Sequence, residues 1–416
     1  MPLSRRGFLT TTALSAPLLG GTSACAEQRS DPEPVDTEVR TGADVLAGEG
    51  WRRLAGRRVG VITNPTGVLG SLQHVVDAMH ASGAVNVVAV FGPEHGFRGT
   101  SQAGGSEGNV TDPRTGLPVY DAYGAGPEQL AGMFRKAGVE RVVFDIADVG
   151  ARFYTYIWTM YTAMRAAALT GAEFVVLDRP NPIGNQVAGP VLDPRFASGV
   201  GELPIAQQHG MTVGELARLF DAEHVDPPLG QRLSVVRAEG WRGRAAGAAV
   251  PWVPPSPNMP TRDTAVVYPG TGLFEGTLLS EGRGTTHPFE IIGAPGIDWR
   301  WADALNAAGL SGLRFRETSF VPTFGKHAQQ TCGGVQLHRS GEVDAIRVAI
   351  TMLVTARQLF GPLFGWRPDG MIDKLAGTDR VRALVDRGAG VDEVVGSWEA
   401  ELAEFRRLRE RFLLYR

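Results

Sequence analysis

The chain has 416 residues, 43% hydrophobic and 20% charged, which excludes a disordered chain and suits two or three folded domains. Its 41 basic and 44 acidic residues sum to −3, which argues against a protein that reads nucleic acid through a basic surface. The 54 glycines, well above the usual ~7%, show no three-residue period, and two cysteines are too few for a disulfide scaffold.

Residues 1–26 read as an export signal. Adjacent Arg5 and Arg6, then Phe8 and Leu9 and a short apolar run, match a twin-arginine signal. The run is too short to span a membrane, which takes about 20 residues. Two processing sites compete. Thr22-Ser23-Ala24-Cys25 resembles a lipobox, with Cys25 as the lipidated first residue, although Leu is missing three places earlier. Ala24-Cys25-Ala26 fits cleavage after Ala26. Either way the mature protein is expected outside the cytoplasmic membrane, released or held to its outer face by a lipid anchor. Residues 27–44, rich in Asp, Glu, Pro and Arg at their start, read as a tether.

Four Val-rich runs follow: Arg57–Thr63, Val85–Gly92, Arg141–Asp148 and Glu173–Asp178. Their apolar residues are consecutive, the pattern of strands buried on both faces. Helical patterns lie between them at Leu72–Ser82, Gly126–Ala137 and Tyr156–Thr170. This alternation predicts a Rossmann-like α/β fold with a doubly wound, mostly parallel sheet over residues 45–283. Further on, Thr212 and Glu215 predict a capped helix over Thr212–Ala222, and Arg232–Ala238 reads as another strand. Proline makes residues 251–262 irregular. Residues 284–416 read as a smaller α+β auxiliary domain. It has strands at Leu313–Thr318 and Gly334–Leu337, a helix at Val343–Leu359, and a helical C-terminal stretch carrying Trp398, Leu402, Phe405, Leu408 and Phe412.

Each strand of the first half runs at once into a polar tip, and ligands of open α/β sheets bind beyond the strand carboxyl ends. The tips are Asn64-Pro65-Thr66-Gly67, Pro93-Glu94-His95-Gly96, Asp148-Val149-Gly150-Ala151-Arg152 and Arg179-Pro180-Asn181-Pro182. All four are expected to face one crevice. Glu94, confined by Pro93 and Gly96 near Phe91 and Phe97, suits a general acid with a raised pKa. His95 suits a second proton carrier or a ligand-orienting group. Arg152 is the local partner expected for Asp145 and Asp148; Tyr154 and Tyr156 suit stacking on a sugar, and Asp178 suits hydrogen bonding to sugar hydroxyls. The glycine-rich stretch 268–285 adds Glu281 and Arg283, suited to an anionic substrate. No P-loop, G-x-G-x-x-G, G-x-S-x-G or H-E-x-x-H is present, so nucleotide binding, a serine nucleophile elbow and a zinc protease site lack support. Carboxylate chemistry fits, and glycoside hydrolysis needs two carboxyls with no cofactor and no metal.

The segments NPTGV (64–68), GPEHGFRG (92–99), DIADVGARFYTY (145–156), DRPNPIG (178–184), GMTVGELA (210–217), SPNMP (256–260) and YPGTGLFEGT…SEGRGT (268–285) together resemble the exo-β-N-acetylmuramidases of the NamZ type. The resemblance spans nearly all of the mature chain. It implies release of N-acetylmuramic acid from the non-reducing ends of peptidoglycan fragments such as MurNAc-GlcNAc and muropeptides. It implies Glu94 as general acid. Asn64, His95, Arg98, Asp148, Arg152, Tyr154, Asp178, Asn181, Glu281 and Arg283 would then line the cleft. The lactyl carboxylate of muramic acid calls for a cation, with Arg98, Arg152 and Arg283 as candidates. Two positions depart from the family pattern: Ala147 stands in place of its usual Gln, and Gly272 in place of its usual Cys. A surface lipoprotein that binds muropeptides without cleaving them is the alternative.

Overall fold

The computed structural model describes residues 39–245 and 250–415. The export segment, Cys25 and most of the expected tether lie outside them. The fold begins inside the stretch read as tether: Arg40 bridges Glu239 and Val39 is buried. Thr41 caps helix α1 (Gly42–Gly48) in a capping box with Asp44.

In chain order there follow β1 (Arg58–Thr63), α2 (Val75–Ser82), β2 (Asn86–Gly92), the short β3 (Val110–Thr111) and β4 (Pro118–Asp121), α3 (Pro127–Ala137), β5 (Arg141–Asp145), α4 (Tyr156–Thr170) and β6 (Glu173–Leu177). Then come β7 (Ala188–Val191), β8 (Ala206–Gln208), α5 (Val213–Glu223) and β9 (Leu233–Val236). One sheet takes the order β3-β4-β2-β1-β5-β6-β9, with every pairing parallel except β3 with β4. The chain leaves β1 toward β2 and β4, then returns to the other side of β1 for β5, β6 and β9. The order therefore reverses at β1, the switch point where doubly wound sheets open a crevice. Apolar residues occupy both faces of the central strands: every residue of β1 after Arg58 is buried. Phe91, Phe144 and Phe174 pack one side of the sheet, and Val59, Val61 and Val143 the other.

The capping box of Thr212 and Glu215 forms as the sequence predicts. Helix α6 (Arg262–Thr271) starts at the end of the proline-rich run, with Pro269 inside it. A second sheet, antiparallel and ordered β10-β12-β11, combines β10 (Ile291–Ala294), β11 (Leu313–Phe320) and β12 (Cys332–Arg339). Helix α7 (Arg300–Ala307) packs on β11, and α8 (Ala345–Phe360) packs on α6 and α7. The C-terminal helical stretch is broken rather than continuous: α9 (Met371–Ala376), α10 (Arg380–Asp386), α11 (Val391–Gly396) and α12 (Glu399–Arg409). After α12 the chain returns to the large sheet, where Leu414 N–H donates to Glu215 at 2.7 Å.

Candidate active site

Three strand tips converge at the switch point. At the end of β1, the Asn64 side-chain oxygen accepts the Thr66 N–H at 2.9 Å and the Thr66 hydroxyl at 2.6 Å. Those two donors fix which end of the amide is oxygen. The Thr66 hydroxyl oxygen also accepts the Ala147 N–H at 2.8 Å, and the Thr63 hydroxyl donates to the Asp145 carbonyl at 2.7 Å. The β1 and β5 tips are thus stitched together beyond the last strand pair.

Glu94 follows β2 directly and is half-buried. Its carboxylate accepts the Gly104 N–H at 2.7 Å and the Thr155 hydroxyl at 3.3 Å. Thr155 is the residue before α4, so the carboxylate lies at the positive end of that helix. His95 holds the left-handed backbone (φ 70°) that non-glycine residues seldom adopt, a strain kept where surroundings enforce it. The enforcement is visible. His95 N–H donates to the Gly105 carbonyl at 2.9 Å, and its Nδ1–H donates to the Ser101 carbonyl at 2.9 Å. Gly96 (φ 85°) admits the Glu107 side chain: a Cβ there would meet the Glu107 carboxyl carbon at 2.2 Å. The loop 101–107 thus folds over the Glu94 turn. Phe91 packs on Tyr120 and Phe134, and Phe97 on His74 and Arg98.

Asp148, on the β5 tip, is buried. Residues 150–152 pair with 207–209: the Arg152 N–H donates to Gln207 O at 2.8 Å and the His209 N–H to Gly150 O at 3.2 Å. That pairing sets the His209 ring beside Asp148, where Nε2–H donates to Oδ2 at 3.0 Å. The Gly150 N–H donates to the same Oδ2 at 2.7 Å. His209 is a site residue that sequence reasoning missed; its only signal is a histidine directly after a short strand.

Three tyrosines join these tips. Tyr154 meets Tyr156 edge-on at 5.4 Å and Tyr268 at 5.8 Å between ring centroids. The Tyr156 hydroxyl donates to the Pro255 carbonyl at 2.7 Å. Burial pushes its pKa up, with the Glu94 charge adding to the rise and the Asn64 amide opposing it. Burial also raises Tyr268, which feels Glu275, Arg283, Glu94 and Asp148 together. Tyr268 therefore sits between the strand tips and the 272–285 segment. In that segment Arg283 meets Glu275 and Glu281, each at 3.2 Å, and lies over the Phe289 ring. Lys326, also missed by sequence reasoning, reaches Glu281 at 2.9 Å and donates to three carbonyl oxygens of residues 274–279. Burial raises the Glu275 pKa, against the pull of Arg283.

Asn64, Glu94, His95, Asp148, Tyr154, Glu281 and Arg283 are thus brought to one region. The other expected residues are committed elsewhere. Arg152 meets neither Asp145 nor Asp148. It is fully buried and donates to the carbonyls of Pro190, Ile205 and Leu375 at 2.8–3.0 Å, and burial lowers its pKa to about 9. Asp145 pairs instead with Arg179, in a buried fork at 2.6 and 2.9 Å. Arg98 forks onto Asp77 and Asp112. Asp178 faces inward, accepting from Arg179 N, Gly214 N, the Thr212 hydroxyl and the Tyr415 hydroxyl. Asn181 donates to Met211 O and accepts from Ile183 N, so it shapes its own loop. The β6 tip is therefore structural, and three tips rather than four converge.

Several buried polar atoms here lack a hydrogen-bond partner among the described residues: Asn64 Nδ2, Asp148 Oδ1, Tyr154 Oη and Asn258 Nδ2. Native interiors leave few such groups unpaired, so their occurrence on the β1 and β5 tips and in the turn that Tyr156 anchors marks a place prepared for a polar ligand.

Comparison with known proteins gives the family. Family models for exo-beta-N-acetylmuramidase NamZ match in tandem, the N-terminal one over residues 59–263 and the C-terminal one over residues 266–415. The chain is 42% identical over 414 residues to the peptidoglycan beta-N-acetylmuramidase NamZ of Bacillus subtilis (strain 168), covering 98% of this chain and 97% of that protein. Two crystal structures of DUF1343 family proteins from Bacteroides fragilis NCTC 9343 share the fold, with TM-scores of 0.82 and 0.73 at 33% and 31% identity. Each match covers 91% of this chain and 99% of the other. By sequence along its whole folded length, the chain belongs to the exo-beta-N-acetylmuramidase NamZ family.

Proposed function

We propose that this protein is an exo-acting glycosidase that releases N-acetylmuramic acid from the non-reducing ends of peptidoglycan fragments, with Glu94 donating the proton to the leaving oxygen. The observation that carries the reading is the Glu94 carboxylate, held by one N–H and one hydroxyl at the switch point of the sheet, beside buried polar groups without partners. The identity to a named peptidoglycan β-N-acetylmuramidase supports the reaction and the substrate.

Glycoside hydrolysis takes a second carboxyl. Asp178 has both oxygens occupied, and Glu281 is neutralised by Arg283 and Lys326. Asp148 keeps Oδ1 free and stands on the neighbouring tip, so it supplies that second group, by holding a substituent of the sugar in place rather than by attacking the anomeric carbon itself. Arg98 and Arg152 are committed away from Glu94, whereas Arg283, although held by Glu275 and Glu281, is grouped with the strand tips through Tyr268 and is the cation assigned to the lactyl carboxylate. The twin-arginine sequence and Cys25 support export, followed by lipid anchoring or release. Replacing Arg5 and Arg6 by Lys is expected to hold the protein in the cytoplasm, and Cys25→Ala to free an anchored form from membranes.

The test of the activity is incubation of the purified mature protein with MurNAc-GlcNAc. N-acetylmuramic acid appears with the wild type and not with Glu94→Gln. Full activity in the variant removes Glu94 from its role. Binding without turnover by the wild type removes the hydrolase reading in favour of a muropeptide-binding lipoprotein.

A further inference from the structure

Among the buried atoms without partners, Asp148 Oδ1, Tyr154 Oη and Asn258 Nδ2 make a set with a definite chemistry. One is a charged acceptor and two are donors. An unpaired buried polar group is costly, so a ligand that completes three of them at once is favoured. The complement of one acceptor and two donors is a secondary amide: one N–H, and one carbonyl oxygen with two lone pairs.

The three residues share a neighbourhood. The Tyr154 hydroxyl feels the Asp148 charge and lies beside Ser256, although among the described residues no neighbour meets it with hydrogen-bond geometry. Ser256 and Asn258 belong to one tight turn, closed by the Met259 N–H on the Ser256 carbonyl at 3.1 Å. The preceding Pro255 accepts the Tyr156 hydroxyl, which anchors the turn to the start of α4. The Tyr154 ring packs edge-on against Tyr156 and Tyr268, which holds its hydroxyl in place. Burial keeps the Tyr154 hydroxyl protonated and so able to donate.

We propose that this set reads the 2-acetamido group of the muramic acid ring, with Asp148 Oδ1 accepting the amide N–H while Tyr154 and Asn258 donate to the amide oxygen. The assignment rests on the muramidase reading and adds the group by which the sugar is recognised. His209 is the positioning residue. Its Nδ1 accepts the Met211 N–H at 3.2 Å, which fixes Nε2–H as the donor to Asp148 Oδ2. With Gly150 N–H on the same oxygen, Asp148 has only Oδ1 left to present.

The test is calorimetric binding of N-acetylmuramic acid and of the 3-O-lactyl ether of glucose, which carries a hydroxyl at C2. The wild type is expected to prefer the acetamido sugar by about tenfold or more, the worth of one hydrogen bond to a buried charge. Asp148→Ala abolishes the preference. Tyr154→Phe, which removes a single oxygen, reduces it and carries the test if the first variant does not fold. His209→Gln, which keeps a donor toward Asp148, retains most of the preference, and His209→Ala loses it. Equal binding of the two sugars by the wild type overturns the proposal, as does a preference that survives in both Asp148→Ala and Tyr154→Phe. Glu94→Gln separates the two readings, because it is expected to lose turnover and keep the preference. Absent turnover in the wild type with the preference intact sinks the hydrolase reading alone.

Discussion

The hydroxyl of Tyr415 donates to Asp178 Oδ2 at 2.7 Å, joining residues 237 apart in sequence at the tip of β6. The same oxygen accepts the Thr212 hydroxyl, and Oδ1 accepts the Gly214 N–H, so one carboxylate ties β6, the start of α5 and the end of the fold together. Burial raises the Asp178 pKa from 3.8 to about 6, even though these donors pull it down. A carboxyl with a raised folded-state pKa adds stability below its unfolded pKa and loses that contribution as pH rises through about 6. Tyr415→Phe removes a donor to the charged form and raises the folded pKa further. The expected loss is about 1.5–3 kcal/mol above pH ~7 and less near pH ~4.5, where Asp178 is protonated. Denaturant melts of wild type and variant at the two pH values check this; an equal loss at both rules out the carboxylate as the cause.

If Glu94 protonates the leaving oxygen, the penalty of losing it depends on the leaving group. Glu94→Gln is expected to lower kcat on MurNAc-GlcNAc by about 10²–10⁴-fold, the usual worth of a positioned acid. The loss is expected to shrink markedly on a 4-nitrophenyl muramide, whose phenolate departs without a proton. Parallel losses on both substrates disprove the acid role. The melting temperature is expected to stay near that of the wild type, because Gln preserves an oxygen for the Gly104 N–H.

Arg283 is held by Glu275 and Glu281 rather than free, and Lys326 shares Glu281. Arg283→Ala is expected to raise KM for muramic acid substrates by about 10–100-fold, the worth of a hydrogen bond between charged groups. The matching N-acetylglucosamine substrate, which lacks the lactyl carboxylate, is expected to change little. A uniform rise for both sugars shows that Arg283 serves the cluster alone. Arg152→Met is the contrasting case. Its three carbonyl partners lose their donor, so stability falls by about 3 kcal/mol or more while sugar preference is kept. Melting curves beside substrate comparison separate the two arginines.

The central sheet was legible because its signal is local. Buried parallel strands leave continuous β-branched runs, and β1, β2, β5 and β6 fall within a residue or so of those runs at their starts. Strands β3, β4, β7 and β8 are two to four residues long and carry no periodicity to read. Helix α6 was hidden by Pro269 and by the proline-rich run before it. In the site, Glu94 stood out because strand and glycine turn confine it. Side-chain partners did not follow from sequence neighbourhood. Arg152 lies near Asp148 in the chain, yet its guanidinium points to carbonyls contributed by residues 190, 205 and 375, while Asp148 takes His209 from a paired strand. Asp178 looked like a sugar ligand because its strongest donor, Tyr415, arrives from the far end of the chain.

Gly272 stands where the family pattern has Cys, and the structure shows what fills the space. A Cβ at Gly272 would meet Phe153 Cε2 at 2.5 Å and Tyr268 Cε2 at 3.4 Å. The Gly272 backbone is ordinary (φ −57°), so adding a side chain there tests space and not backbone strain. The Phe153 ring in turn packs edge-on against Tyr268 at 5.2 Å, the ring that lies between the Glu94 and Arg283 groups. Gly272→Ala is therefore expected to cost about 1–3 kcal/mol by overpacking, and to lower turnover by displacing Tyr268. Phe153→Leu is expected to relieve the clash, so the double variant Phe153→Leu/Gly272→Ala melts above the value expected from adding the two single losses. Additive losses mean that the two positions do not share this space, and the link from Gly272 through Phe153 to Tyr268 fails.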